Sequence, residues 1–176
     1  LRGITASTQA LKMTANTDDL RIQKTTELIS PEQLVADLGV SDTGAKTVAN
    51  ARHTIHNILR GEDDRLLAIV GPCSIHDPAA AREYAAKLKV VADDLSEDIF
   101  VVMRVYFEKP RTTVGWKGLI NDPDLNNTFQ IGKGLNLARH LLSDLADMGM
   151  PTGTEYLDLI SPQYYADLIS WGAIGA

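Results

Sequence analysis

The chain has 176 residues, 44% of them hydrophobic and 23% charged, with a formal net charge of -6. That makeup belongs to a globular protein with a sizeable core and excludes extended disorder. No apolar run approaches the roughly 18 to 20 residues of a membrane helix and no signal-peptide hydrophobic region opens the chain, so a cytoplasmic protein without a membrane partner is expected. The single cysteine, Cys73, precludes an intrachain disulfide and fits a reducing compartment, while the acidic balance argues against nucleic acid as a partner.

Residues 1–26 are polar, rich in Thr, Asn and Asp and without sustained period. They read as an N-terminal arm, ordered only where a neighbour holds it. The first methionine is Met13, and the chain stops on the apolar Ala173-Ile174-Gly175-Ala176. The expectation is a fragment, with residues 1–12 upstream of the natural start and a C-terminal part missing.

A helical prefix spans 27–61. Ser30-Pro31-Glu32 supplies an N-cap, a proline at the first helical position and an acid in the first turn, opening a short helix to about Leu38. A second helix runs from about Thr43 with Val48, Ala51, Ile55, Ile58 and Leu59 at helical spacing, and Gly61 stops it.

From residue 62 to 176 strands and helices alternate, each strand a continuous apolar run of the kind found in parallel sheets covered on both faces. The first strand is Leu66 to Val70. Asp77-Pro78 then caps a helix with Tyr84, Leu88, Val91 and Leu95 on one stripe, and the second strand runs from Ile99 to Tyr106. A long loop to about Asn126 precedes a helix carrying Ile131, Leu135, Ala138, Leu142, Leu145 and Met148 on one face, stopped by Gly149. A strand near Thr152 to Tyr156, a short helix from Ser161-Pro162 and a last strand at Gly172 to Gly175 follow. The pattern fits a small doubly wound sheet or half of an eight-stranded barrel, and alternation alone does not choose. Gly71-Pro72-Cys73-Ser74 lacks the G-x-G-x-x-G spacing of a dinucleotide loop. In the barrel reading, Cys73, the run from Arg104 to Lys117, and Glu155 all fall at C-terminal strand ends.

Met103 to Gly118 puts four cations, Arg104, Lys109, Arg111 and Lys117, and one acid into sixteen residues of an acidic chain. Guanidinium forks and ammonium point charges together suit phosphate and carboxylate groups, and Thr112 and Thr113 add hydroxyls. Arg104 interrupts an apolar strand, where an unpaired charge costs several kcal/mol, so a negative partner is expected beside it. The alternative is a solvated basic loop. Cys73 next to these cations favours a thiolate, suited to a metal or to nucleophilic attack, against the commoner role of an inert core cysteine. His76 reads as a helix-capping or supporting residue, and His53, His56 and His140 as surface or packing residues. Glu155 orients a lysine or a water, or forms a structural ion pair.

Gly71-Pro72-Cys73-Ser74-Ile75-His76-Asp77 together with the run from Met103 to Pro123 resembles the class I 3-deoxy-D-arabino-heptulosonate 7-phosphate (DAHP) synthases. The similarity extends from Met13 through Asp18-Asp19-Leu20-Arg21-Ile22 to Ser170-Trp171-Gly172-Ala173-Ile174-Gly175-Ala176, about the first half of a typical member. The resemblance implies a (β/α)8 TIM barrel with an N-terminal extension, of which about four strands are present. It also implies a transferase that condenses phosphoenolpyruvate with erythrose 4-phosphate in the first step of the shikimate route to aromatic amino acids. A divalent metal ion of the Mn, Fe, Co or Zn type is implied, with Cys73 as one ligand and three ligands in the missing half. By the same resemblance Arg104, Lys109 and Lys117 hold phosphoenolpyruvate, Pro110, Arg111 and Thr112 line the erythrose 4-phosphate side, and Ala176 ends at the substrate site. Lys109 acts at the reacting centre and Glu155 orients it. Asp18, Asp19, Leu159 and Gln163 match the region that binds an aromatic amino acid effector, and a dimer or tetramer of identical chains is implied. The rival readings are a non-catalytic anion-binding or regulatory module and the sister 3-deoxy-octulosonate 8-phosphate synthase, against which Lys109-Pro110-Arg111-Thr112 argues.

Overall fold

The computed structural model describes residues 18, 20–22, 24–110 and 114–175. The prefix forms two helices where the caps predict them. In α1 (Pro31–Asp37) the Ser30 hydroxyl accepts from the Gln33 N–H at 3.2 Å. In α2 (Asp42–Arg60) Ser41 accepts from the Gly44 N–H at 2.9 Å, and Gly61 ends the helix at φ 72, a left-handed conformation that glycine adopts without strain.

Four strands follow: β1 (Leu66–Val70), β2 (Ile99–Arg104), β3 (Thr152–Tyr156) and β4 (Trp171–Ile174). Helices α3 (Pro78–Asp94) and α4 (Ile131–Asp147) form the first two crossovers, and two 3-10 turns, Ser161–Tyr164 and Ala166–Leu168, form the third. All pairs are parallel and the spatial order is β1-β2-β3-β4. A doubly wound sheet reverses direction at a switch point, whereas here each strand adds on the same side of the last, which is the order of a (β/α)8 barrel. The sheet is an arc of such a barrel.

The core lies between this arc and its helices and joins Met103, Val105 and Phe107 from β2 and its extension to Leu135, Ala138, Leu142 and Leu145 from α4. The apolar face expected for α4 is the face buried. Of the stripe expected for α3 only Leu88 packs on the core: Tyr84, Val91 and Leu95 are exposed, and Ala81, Ala85 and Ala92 complete the inner face with it. Alanines let the helix lie close to the sheet but add little to a hydrophobic pattern. The short helix expected from Ser161 is replaced by the 3-10 turns, because the segment must reach β4 within a few residues. Regular β2 ends at Arg104 rather than Tyr106, although the Val105 N–H still donates to the Gly153 carbonyl at 2.8 Å. β4 begins and ends one residue earlier than expected.

Arg139 of α4 is fully buried, a role the sequence reading did not assign it. It donates to the Leu38 carbonyl at 2.7 Å and the Tyr164 carbonyl at 3.0 Å, and its fork meets both carboxylate oxygens of Asp167 at 2.7 and 2.9 Å. This one side chain fastens the prefix to the region of the 3-10 turns. No helix among the described residues is long and apolar enough to cross a membrane.

Candidate functional site

Neighbouring parallel strands leave the sheet at one rim, so residues far apart in sequence meet there. The chain turns out of β1 at Gly71, φ 156, where a Cβ would stand 2.8 Å from the Arg104 carbonyl oxygen. Only glycine permits that approach. The Ile75 N–H then donates to the Tyr106 carbonyl at 2.9 Å, laying residues 71–75 across the end of β2.

This crossing puts exposed Cys73 against the cations. The Lys109 ammonium donates to Cys73 Sγ at 3.0 Å and lies 3.5 Å from its carbonyl oxygen. Hydrogen bonding from Lys109, then from Arg104, holds the Cys73 thiol below its ordinary value of 9.0 and favours the thiolate. The inert-core reading of Cys73 therefore does not stand.

Arg104, half-buried, donates through Nη1 to the Pro72 carbonyl at 3.1 Å, and its guanidinium lies 3.8 Å over the Tyr106 ring. The negative partner expected for it is not a carboxylate among the described residues. A carbonyl, an aromatic face and the Cys73 sulfur take that place.

Beyond β2 the chain doubles back. The Lys109 N–H donates to the Lys117 carbonyl at 3.0 Å, and Gly118 at φ 105 sits where a Cβ would be 2.2 Å from the Phe107 carbonyl oxygen. Lys117 is thereby returned to the strand end that carries Lys109. Pro110 follows as an exposed residue. Arg111, Thr112 and Thr113 lie outside the described residues, as do Asp19 and Ala176.

Glu155 on β3 is half-buried, and its carboxylate makes no ion pair or hydrogen bond to another described side chain. The cap of α3 is Asp77, which accepts from the Ala79 and Ala80 N–H groups at 2.8 and 3.2 Å, so His76 is not the cap. Among the described residues no three His, Cys, Asp or Glu side chains cluster as a metal site, leaving Cys73 as the single ligand candidate. Leu159 and Gln163 come together, the Gln163 amide donating to the Leu159 carbonyl at 3.0 Å with Leu159 88% exposed. Asp18 is exposed on the arm.

The sequence reading gave no role to Glu108. Its Oε2 accepts from the Ser161 hydroxyl at 2.9 Å and its Oε1 from the Asn121 amide at 3.3 Å. Burial pushes the Glu108 carboxyl up, and the negative charge of nearby Asp158 adds to the effect. Burial would raise Asp158 too, but the N–H groups of Ser161 and Ile160, at 2.7 and 2.6 Å, hold it below the usual carboxylate value. The signal available in the sequence is that Glu108 is the one acid among the four cations, directly after the apolar Phe107.

Comparison with known proteins places this geometry in a family. The model of the "DAHP synthetase I family" matches residues 22–176. The Phe-sensitive phospho-2-dehydro-3-deoxyheptonate aldolase of Escherichia coli K12 is 57% identical over 164 residues, 93% of this chain and 47% of that protein. The Trp-sensitive phospho-2-dehydro-3-deoxyheptonate aldolase of Enterobacter agglomerans is 52% identical over 160 residues, 91% of this chain and 46% of its own length. The solved phospho-2-dehydro-3-deoxyheptonate aldolase from Francisella tularensis SCHU S4 superposes with a TM-score of 0.85 at 59% identity, covering 88% of this chain and 46% of that one. The chain spans a little under half the length of these three relatives.

Proposed function

The chain belongs to the DAHP synthetase I family, and on that premise we propose that it supplies one wall of the site in an enzyme that condenses phosphoenolpyruvate with erythrose 4-phosphate and water to DAHP and phosphate. The observation that carries the reading is the Lys109 ammonium 3.0 Å from Cys73 Sγ with Arg104 beside it, two cations and a thiolate-favouring sulfur at one strand rim, which suits an anion and a soft-ligand metal site. Arg104, Lys109 and Lys117 bind the phosphate and carboxylate of phosphoenolpyruvate, Pro110, Arg111 and Thr112 serve the side of erythrose 4-phosphate, and Ala176 is counted among the substrate-binding residues.

In the reaction the methylene carbon of phosphoenolpyruvate forms a bond to the aldehyde carbon, whose oxygen takes up a proton. Water adds at the former enol carbon, and phosphate leaves by cleavage of its C–O bond. Fixed cations around the phosphate and carboxylate stabilise the charge that develops there. Lys109 is assigned to position a water or give up a proton, and Glu155 of β3, which bonds to no described side chain, to orient it once substrate is bound.

Cys73 fits a divalent metal ion of the Mn, Fe, Co or Zn type, because its thiolate is favoured and its sulfur is accessible. Such an ion, when bound, supplies Lewis acidity to the aldehyde oxygen. The remaining ligands would come from the other half of the barrel. Leu159 and Gln163, together with Asp18 and Asp19, form part of a site for an aromatic amino acid effector, in a homodimer or homotetramer located in the cytoplasm.

The test is phosphate release by the full-length protein with both substrates, with and without a chelator. Release should require both substrates and stop with chelator. Lys109→Ala should lower the rate at least about 100-fold, the scale of one positioned proton-transfer group, and Cys73→Ala should abolish metal-dependent turnover. Release that needs only one substrate, or that persists unchanged in either variant, contradicts the assignment.

A further inference from the structure

Glu108 and Lys109 are successive residues whose side chains serve different loops. Lys109 reaches the turn after β1 and donates to Cys73 Sγ at 3.0 Å. Glu108 reaches the turn after β3, where its Oε2 lies within hydrogen-bonding distance, 2.9 Å, of the Ser161 hydroxyl. The Asn121 amide lies 3.3 Å from Glu108 Oε1 and 3.4 Å from the Lys117 carbonyl, so it joins the two sides of the doubled-back segment.

Ser161 Oγ is also 3.0 Å from Asp158 Oδ2. A hydroxyl has one proton, so it cannot donate to both carboxylates at once. Both contacts are satisfied when one carboxyl carries a proton and the hydroxyl accepts from it while donating to the other. Asp158 accepts two backbone N–H groups and is the carboxyl suited to stay ionised. Glu108, half-buried and beside the Asp158 charge, is the one suited to hold the proton. The cluster is then fully bonded with a single negative charge. A cavity of about 330 Å³ lies alongside, lined by Glu108, Asn121, Asp158 and Ser161 together with apolar residues.

We propose that Glu108 is a positioning residue: through Ser161, Asp158 and Asn121 it straps the segment bearing Lys109 and Lys117 to the turn after β3, and so fixes the Lys109 ammonium over Cys73. The inference rests on the reading of Lys109 as a phosphoenolpyruvate-binding group. It assigns no substrate contact to Glu108 itself.

The full-length protein carries the test, with Glu108→Ala, Glu108→Gln and Ser161→Ala compared by steady-state kinetics and by amide hydrogen exchange over residues 105–121. Glu108→Ala should raise the KM for phosphoenolpyruvate about tenfold and lower kcat about tenfold, leave the KM for erythrose 4-phosphate within twofold, and speed exchange across 105–121. Glu108→Gln keeps both a donor and an acceptor at the same length and should recover most of that loss. A residue with a merely structural role would reduce the active fraction, lowering kcat with both KM values unchanged, and that result overturns the proposal. Unchanged exchange across 105–121 overturns it as well. Should Glu108→Ala fail to fold, Ser161→Ala, which removes only the bridging hydroxyl, must show the same split at about threefold or the strap is refuted. If the wild-type protein released no phosphate from the two substrates, the proposed function would fail while the exchange comparison still decided the strap.

Discussion

Replacing Arg139 by leucine should destabilise the protein more than neutralising its partner. The guanidinium is fully buried and makes four hydrogen bonds, two to the carbonyls of Leu38 and Tyr164 and two to Asp167, whose side chain is 40% exposed. In Arg139→Leu the two carbonyls lose their donor, at about 1–3 kcal/mol each when water cannot replace it, while Asp167 recovers hydration and adds little. Together with the lost packing of the guanidinium stem, the expected cost is about 3–5 kcal/mol, most of it from the two unpaired carbonyls. Asp167→Asn keeps both carbonyl contacts and one side-chain acceptor but takes the counter-charge from the buried guanidinium, a loss moderated by the partial exposure of Asp167, and should cost about 1.5–3 kcal/mol. Urea unfolding of the full-length protein reads the difference as a fall in midpoint at unchanged slope, and amide exchange should quicken around Leu38 and Tyr164 in the first variant only. Equal losses in the two variants would show that the ion pair dominates and would refute the assignment to the carbonyls.

Two further predictions follow from the geometry. In metal-free protein, alkylation of Cys73 should have its midpoint below the ordinary thiol value of 9.0, because the folded pKa is lowered by Lys109 first and Arg104 second; Lys109→Ala should move that midpoint upward, and an unchanged midpoint would deny the contact. Gly134 of α4 has no room for a side chain, since a Cβ would lie 2.1 Å from the Ile120 carbonyl oxygen, whereas a Cβ at Gly132 would meet only Leu28 at 3.8 Å. Gly134→Ala should therefore lose about 1–3 kcal/mol net through overpacking, outweighing a helix-propensity gain of about 1 kcal/mol, while Gly132→Ala keeps that gain. Urea midpoints moving in the same direction for both would contradict the packing argument.

Much of this was legible in the chain because its signals are local. Ser30 marks a helix start by its hydroxyl and Gly61 a helix end by the φ it tolerates, and the apolar runs at Leu66 and Ile99 need no partner to be read as strands. The order of those strands was not local: alternation alone left two architectures open and only the resemblance implied the barrel, which the pairing of Met103 with Thr152 and of Gly153 with Trp171 bears out by a single direction of growth. Arg139 stands four residues after Leu135 and three before Leu142, on the buried stripe of α4, yet its charge hides it from a hydrophobic pattern; only the carbonyls around it explain its burial. In the site, the cation cluster and Cys73 could be read from residue types. The contact of Glu108 with Ser161 spans 53 residues and depends on two strand ends meeting, which no spacing within the loop reveals.

The parallel order of strands also explains how a chain of net charge -6 keeps a positive pocket. Consecutive strands bring the turn after β1, the doubled-back segment after β2 and the turn after β3 to one rim, and each is bonded to the next: Ile75 to Tyr106 and Lys109 to Cys73 on one side, Thr154 to Val105 and Ser161 to Glu108 on the other. The one acid in the cationic stretch is drawn outward by the β3 turn. That leaves Arg104 and Lys109 facing a sulfur rather than a carboxylate. An ammonium has three protons to donate; one is directed at Cys73 Sγ at 3.0 Å and a second, more weakly, at the Cys73 carbonyl at 3.5 Å. Among the described residues no acceptor takes the third, which suits it to the oxygen of an anion such as the proposed function places there.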